Sequence, residues 1–196
     1  MTFRIHFHTN RQLPPYSDTD RPMLSQVVQD ALNDQINTEF YSSYNYLAMS
    51  AYCEHQNFRG CAHWLRMQSN EEHMHALKLY NFMINRSAKV VLKEIKLPQS
   101  SYDSISQVFQ EALTQELEVS RRIDSLYELA FQEKAFAALV ELQWFISEQT
   151  EEERTARDIV AKFEFVKHDP SALLDLDREL ASRVPPTETS VGGSNS

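Results

Sequence analysis

Four glutamates and one histidine stand where a helical chain would place core residues. Read at steps of three and four, the stripe of apolar residues on each of four long segments is interrupted by an acid: Glu39, Glu72, Glu116 and Glu152. His75 follows Glu72 at i, i+3, so both side chains can bind one ion. Oxygen ligands with a single imidazole suit iron or manganese rather than copper, and zinc can compete for the same ligands.

The four glutamates also stand at similar distances from the turns that join the segments. The first and second segments meet near Asn57, and the third and fourth near Glu133. At about 1.5 Å of helical rise per residue, the acids fall within roughly 6 Å of one another along the bundle axis. Because burying a carboxylate costs several kcal/mol, such a cluster needs protonation or bound divalent cations, and the cations neutralise it better.

Two further polar residues lie on these stripes. Gln149 stands one turn before Glu152 and is a candidate metal ligand. Tyr46 follows Glu39 on the stripe of the first segment. It is either a core tyrosine that needs only a hydrogen-bond partner or an electron donor beside the metals.

Long helices are the elements that must position these residues. The 196 residues include only three glycines, where about 14 are usual, which argues against phosphate-binding loops and barrels of tight hairpins. The apolar periodicity predicts helices over about 24–55, 58–87, 105–131 and 134–167, and a short fifth over 171–183. The joints predict two antiparallel hairpins, and the roughly 17-residue link between helices two and three is long enough to cross the bundle.

The ends of the chain fall outside the predicted bundle domain, which occupies residues 23–184. Residues 1–22 contain three prolines and no helical period, and we interpret them as a mobile extension. Alternatively, Phe3, Ile5 and Phe7 alternate with polar residues and can pair as a strand on a partner. Residues 185–196 have the composition of a disordered tail.

Charge and composition argue against several classes of partner. A formal net charge of −9 is unfavourable for binding nucleic acid or an anionic membrane, and it is compatible with attracting cations. We find no apolar run of about 18 residues and no secretory signal, so the expected location is the cytoplasm. Cys53 and Cys61 show no C-x-x-C pattern and are interpreted as small apolar residues.

Over roughly residues 23–183 the chain resembles the bacterial non-haem ferritins, through the segments NTEFYSSYNYLAMSAYCEH, LRMQSNEEHMHALKLYNFM, FQEALTQELE and LQWFISEQTEEE. The resemblance implies a ferritin-like four-helix bundle that assembles with copies of itself into a hollow 24-subunit cage. It also implies oxidation of Fe(II) by dioxygen or peroxide at a di-iron centre inside each subunit, with storage of the ferric mineral. The expected cofactor is therefore iron.

The resemblance assigns roles residue by residue. The first iron site is Glu39, Glu72 and His75, with Glu72 bridging, and the second is Glu116 and Glu152, with Gln149 nearby. The tyrosine of the site is Tyr46. A further iron site maps to Glu71, Glu148 and Glu151, which either ferry iron between the centre and the cavity or form a solvated acidic face.

Departures from the related bacterioferritins bear on haem. Those proteins carry E-x-x-H on two helices, whereas the fourth segment here reads Gln149-x-x-Glu152. The methionine that ligates haem in a bacterioferritin falls at His73, so no haem is expected.

Two other classes of function stay open at this point. One is a cage-free di-iron oxidase or peroxidase built on the same bundle. The other is a non-catalytic structural bundle whose carboxylates are merely protonated. The long crossover and the short fifth helix favour the cage, because such a helix can pack against symmetry mates.

Overall fold

The computed structural model describes residues 23–184, and helices make up most of this range. They are α1 (Gln26–His55), α2 (Arg59–Asn85), α3 (Ile105–Gln132), α4 (Phe136–Val166) and α5 (Pro170–Ala181). No strand occurs within this range, so the predicted all-α class is confirmed, with helix ends within about two residues of those expected. The predicted extension over 1–22, with its alternative strand, and the predicted tail over 185–196 lie outside the described residues.

The four long helices pack as two hairpins joined by a crossover. α1 packs along α2 and α3 along α4, and α1 also contacts α3, while α5 lies against α2 and α4. None of these five helices combines the length and the apolar character that crossing a bilayer requires. A four-helix bundle with a long crossover between α2 and α3 and a short fifth helix is therefore the observed architecture.

The crossover, residues 86–104, is held along α1 by side chains of that helix. Asn33 donates to the Lys89 carbonyl over 3.0 Å and accepts from the Val91 amide over 2.7 Å. Farther along α1, the Tyr52 hydroxyl donates to the Tyr102 carbonyl over 2.7 Å. These bonds satisfy peptide groups that an extended segment leaves free, and they guide the chain from one end of the bundle to the other.

Shortly after the ends of α1, α2 and α3, a residue other than glycine has a left-handed backbone conformation. Asn57, Ser87 and Lys134 have φ values of 64°, 52° and 55°. At the first of these ends the amide of Phe58 donates to the carbonyl of Cys53 over 2.9 Å, as in a Schellman motif. The same closure recurs after α2 and α3. Two of these closures, after α1 and α3, make the short turns that keep each hairpin antiparallel.

A glycine at the start of α2 lets α5 approach closely. A Cβ atom at Gly60 would lie 1.6 Å from the carbonyl oxygen of Asp177, so only glycine fits there. The side chain of Asp177 in turn accepts from the Cys61 amide over 2.8 Å. At its own start, α5 is capped by Asp169, which accepts from the amides of Ser171 and Ala172. Backbone contact and capping together fix the fifth helix on the bundle.

The apolar core is divided into two clusters by a polar layer. One cluster contains Trp64, Phe109 and Phe163, and the other contains Leu32, Ile123 and further aliphatic residues. On all four long helices, buried polar residues lie between the stretches that build these clusters. The core therefore packs at both ends of the bundle and leaves the middle to polar groups.

Candidate metal centre

The polar layer is built from one or more side chains of each long helix. Glu39, Glu72 and Glu116 have no exposed surface, and His75, Gln149 and Glu152 are at most 7 % exposed. Each lies on the core-facing stripe of its helix, because periodicity continues through the acid without a shift. The structure thus places all six of these sequence-predicted residues inside the bundle.

Three of the six come together as a group able to hold a cation. One ligand atom from each of Glu39, Glu72 and His75 lies within 4.8 Å of the others. Gln35 donates to one oxygen of Glu39 over 2.8 Å, whereas the other oxygen has no hydrogen-bond partner among the described residues. Both oxygens of Glu72 and Nδ1 of His75 are likewise without one in this part of the chain. Buried polar atoms without hydrogen-bond partners are suited to binding a metal ion, because coordination would satisfy them.

The other two acids are held by neutral donors. The Tyr46 hydroxyl donates to Oε1 of Glu116, and the Gln149 amide donates to Oε2 over 3.2 Å. Gln68 donates to Glu152 over 2.8 Å. Within residues 23–184, Glu116 and Glu152 do not complete a second close group of three ligands. Gln149 and Tyr46 therefore lie beside Glu116, as its hydrogen-bond donors.

Burial and mutual repulsion raise the pKa of every carboxyl in the layer. Burial raises the pKa of Glu39 to about 7 and that of Glu152 to about 8. The pKa of Glu72 lies well above its usual range, because of burial and then of the charges of Glu116 and Glu39. Burial also raises the pKa of Glu116, while the bond from Tyr46 opposes the rise. Without cations the layer holds protons near neutral pH, and a divalent cation would replace them.

The histidine of the layer is kept neutral. Burial, and next the charge of Lys78, lowers the pKa of His75 to about 4. Its ring packs edge-on against Trp144, with the ring centroids 5.3 Å apart. A neutral imidazole retains a lone pair for a metal, so the environment of His75 suits a ligand.

The three acids of the expected further iron site are less buried than those of the polar layer. Glu71 is half-buried and accepts a 2.6 Å hydrogen bond from the guanidinium of Arg183, which follows α5. Glu148 is half-buried and Glu151 is exposed, and burial raises the pKa of Glu148. These three described acids do not form a close group of ligand atoms as Glu39, Glu72 and His75 do. Besides burial, the charge of Glu148 raises the pKa of Glu71, and the charge of Glu151 raises that of Glu148.

Sequence reasoning missed three residues that contact the acids. Gln35 lies one turn before Glu39, which it contacts, so this spacing was an available signal. Gln68 lies one turn before Glu72 but contacts Glu152 on α4, which the spacing does not indicate. Arg183 had no such signal, because 112 positions separate it from Glu71.

Known proteins match this chain over most of its length. Residues 29–166 match the family model of the ferritin-like domain. A bacterial non-haem ferritin of Staphylococcus aureus is 36 % identical over 161 residues, which cover 82 % of this chain and 97 % of that protein. The corresponding protein of Staphylococcus haemolyticus is 35 % identical with the same coverage.

Solved structures give the same picture. An open pore ferritin from Archaeoglobus fulgidus superposes with a TM-score of 0.82 at 41 % identity, covering 84 % of this chain and all of that one. An engineered closed form of that ferritin gives a TM-score of 0.81 at 42 % identity, with 82 % and 98 % covered.

Proposed function

The chain belongs to the ferritin family, and we propose that it is an iron-storage ferritin that oxidises Fe(II) at a two-metal centre in each subunit. The observation that carries the proposal is the buried group of Glu39, Glu72 and His75, with its unpartnered oxygens and nitrogen. Carboxylate oxygens and an imidazole nitrogen that converge within 4.8 Å without hydrogen bonds are what a cation site requires and what an apolar core avoids.

The substrate iron binds at two places in the polar layer. The first Fe(II) takes Glu39, Glu72 and His75, and the second takes Glu116 and Glu152, with Glu72 shared and Gln149 nearby. Each Fe(II) gives up one electron, and the two electrons with two protons reduce dioxygen to hydrogen peroxide; hydrogen peroxide can also serve as the oxidant and is then reduced, with two further protons, to water. Anionic oxygen ligands favour Fe(III) over Fe(II), which drives the oxidation.

Tyr46 is the proposed electron donor of the site. Its hydroxyl contacts Glu116, a ligand of the second iron, and the ring is fully buried. Burial, and next the charge of Glu116, raises the pKa of Tyr46 well above its usual range, so the phenol keeps its proton. A buried phenol beside the metals can supply one electron to the oxidant, and its proton then passes to Glu116, which accepts its hydrogen bond.

We further propose that 24 copies form a hollow cage that holds the ferric product. Large apolar side chains stay exposed on the described surface of the single chain, among them Leu97 at 92 % and Phe165 at 87 %. Contacts between copies would cover such residues. Cys53 and Cys61 are both free thiols, which fits the expected cytoplasmic location.

Stopped-flow absorbance after aerobic addition of Fe(II) tests the centre. We expect a fast phase that saturates near two irons per chain and disappears in Glu72→Ala and in His75→Ala. His73→Ala is the matched control, because this histidine lies on the same helix but is exposed. A full-rate fast phase in Glu72→Ala would refute the assignment.

Mass and metal content test the alternatives. Light scattering should give the mass of a 24-subunit assembly, and a mass near one or two chains would support a cage-free oxidase. Metal analysis after loading should find at least two ions per chain. Less than about half an ion per chain would support a structural bundle with protonated carboxylates.

A further inference from the structure

Arg183 is placed against α2 by three separate contacts. Its guanidinium donates to Glu71 over 2.6 Å and lies 4.7 Å from the ring centroid of Trp64. Its backbone carbonyl lies 2.8 Å from Nε2 of His63. These contacts span two turns of one helix and follow the docking of α5 at Gly60. The residue is therefore held in place and does not sample the solvent as a surface arginine does.

The ion pair between Arg183 and Glu71 is largely withdrawn from water. The two side chains are 21 % and 15 % exposed, whereas the pair of Arg178 and Asp175 on α5 is more than 70 % exposed on both sides. A partly buried, charge-assisted bond is stronger and less screened than a surface pair. Burial raises the pKa of Glu71, and the charge of Arg183 opposes that rise.

A divalent cation at Glu71 would meet two obstacles. One carboxylate oxygen of Glu71 is already bonded to the guanidinium. The positive charge of Arg183 would also repel a divalent cation bound at Glu71, because like charges a few ångströms apart repel each other even at an effective dielectric constant of about 20. Glu148 and Glu151 alone offer a weaker set of ligands, since one of them is exposed.

We propose that the guanidinium of Arg183, held against α2, occupies Glu71 and so keeps divalent metal out of the set formed by Glu71, Glu148 and Glu151. Tight binding is then confined to the two-metal centre in the polar layer. Arg183 acts as a specificity-determining positioning residue, since it makes no hydrogen bond to the described residues of the polar layer, although its charge opposes the rise in pKa that burial causes at Glu152. This inference rests on the proposed function, because it presumes that the polar layer binds two cations.

Calorimetric titration of the metal-free full-length protein with Zn²⁺ tests this role without any redox step. We expect the wild-type protein to bind two ions tightly per chain. Arg183→Gln should bind one additional ion, at least about tenfold more tightly than any further site of the wild type. Arg183→Lys keeps the charge and should behave as the wild type. Arg178→Gln removes an exposed arginine of α5 and is the matched control.

A double variant locates the additional ion. Arg183→Gln combined with Glu71→Gln should return to two ions per chain. An unchanged stoichiometry in Arg183→Gln, or a third ion retained in the double variant, would overturn the inference. Two tight ions in the wild type with no gain in Arg183→Gln defeats this inference alone, whereas no tight ion in the wild type defeats the proposed function.

Discussion

Tyr46 and Glu116 are joined by a hydrogen bond at the middle of the bundle, although 70 positions separate them in the chain. The phenol donates, so it stabilises the carboxylate of Glu116 in its ionised form. The bond thus links a residue of α1 to an acid of α3, and it opposes protonation of that acid.

Tyr46→Phe should shift cation binding to higher pH. The pKa of Glu116, already raised by burial, rises further when the bond is lost, so protons compete better with the metal. We expect the pH midpoint of Zn²⁺ binding to move up by about one unit, since a hydrogen bond to a charged group contributes roughly 1.5–3 kcal/mol. Tyr52→Phe, whose hydroxyl bonds a carbonyl of the crossover, should leave the midpoint unchanged.

The metal-free protein should lose stability as pH rises from about 6.5 to 8. Glu39 and Glu152 have folded-state pKa values of about 7 and 8, above the ordinary 4.5, so their protonated forms favour folding and this contribution is lost as they ionise. His75 has a lowered pKa, and its contribution changes only below its ordinary value of 6.5.

Thermal unfolding in a chelator, recorded across this range, measures the effect. Glu39→Gln cannot ionise, so its melting temperature should fall less steeply than that of the wild type. Added Zn²⁺ should oppose the loss in the wild type. A melting temperature that increases from pH 6.5 to 8 without metal would contradict the assigned pKa shifts.

Gly60→Ala should loosen α5 from the bundle. The added Cβ would meet the carbonyl oxygen of Asp177 at 1.6 Å, a backbone atom that can move only with its helix. We expect destabilisation of about 1–3 kcal/mol, as for other overpacked sites, and faster proteolysis between α4 and α5. Arg59→Ala changes an exposed neighbour, and equal sensitivity of that variant would point away from a specific clash.

Lys134→Gly should stabilise the turn between α3 and α4. Lys134 has a φ of 55°, which glycine adopts without the strain caused by a Cβ atom. After the greater freedom of glycine in the unfolded chain is subtracted, we expect a gain of about 0.5–1 kcal/mol, seen as a higher melting temperature. Lys134→Val should have the opposite effect, and equal melting temperatures for both variants would exclude this explanation.

Helical periodicity was sufficient to predict the fold and the burial of the acids. The stripes place Glu39, Glu72, Glu116 and Glu152 in the core without any knowledge of neighbours, and the structure shows all four buried. Their roles as ligands stay a prediction, because burial alone does not define coordination.

Contacts between distant segments could not be predicted in the same way. The bonds of Asn33 to the crossover and of Arg183 to Glu71 join residues 56 and 112 positions apart. Periodicity describes one helix at a time, so it does not predict where a link or a C-terminal segment will contact that helix. The acidic set around Glu71 was therefore predicted without the arginine that lies against it.

The two apolar clusters of the core stabilise the fold, and the polar layer between them contains the acids. Each end of the bundle is packed by its own aliphatic and aromatic residues, and the acids lie between the two clusters. Most of the apolar packing is therefore independent of what neutralises the acids, so a change within the layer should alter stability by less than a comparable change in either cluster.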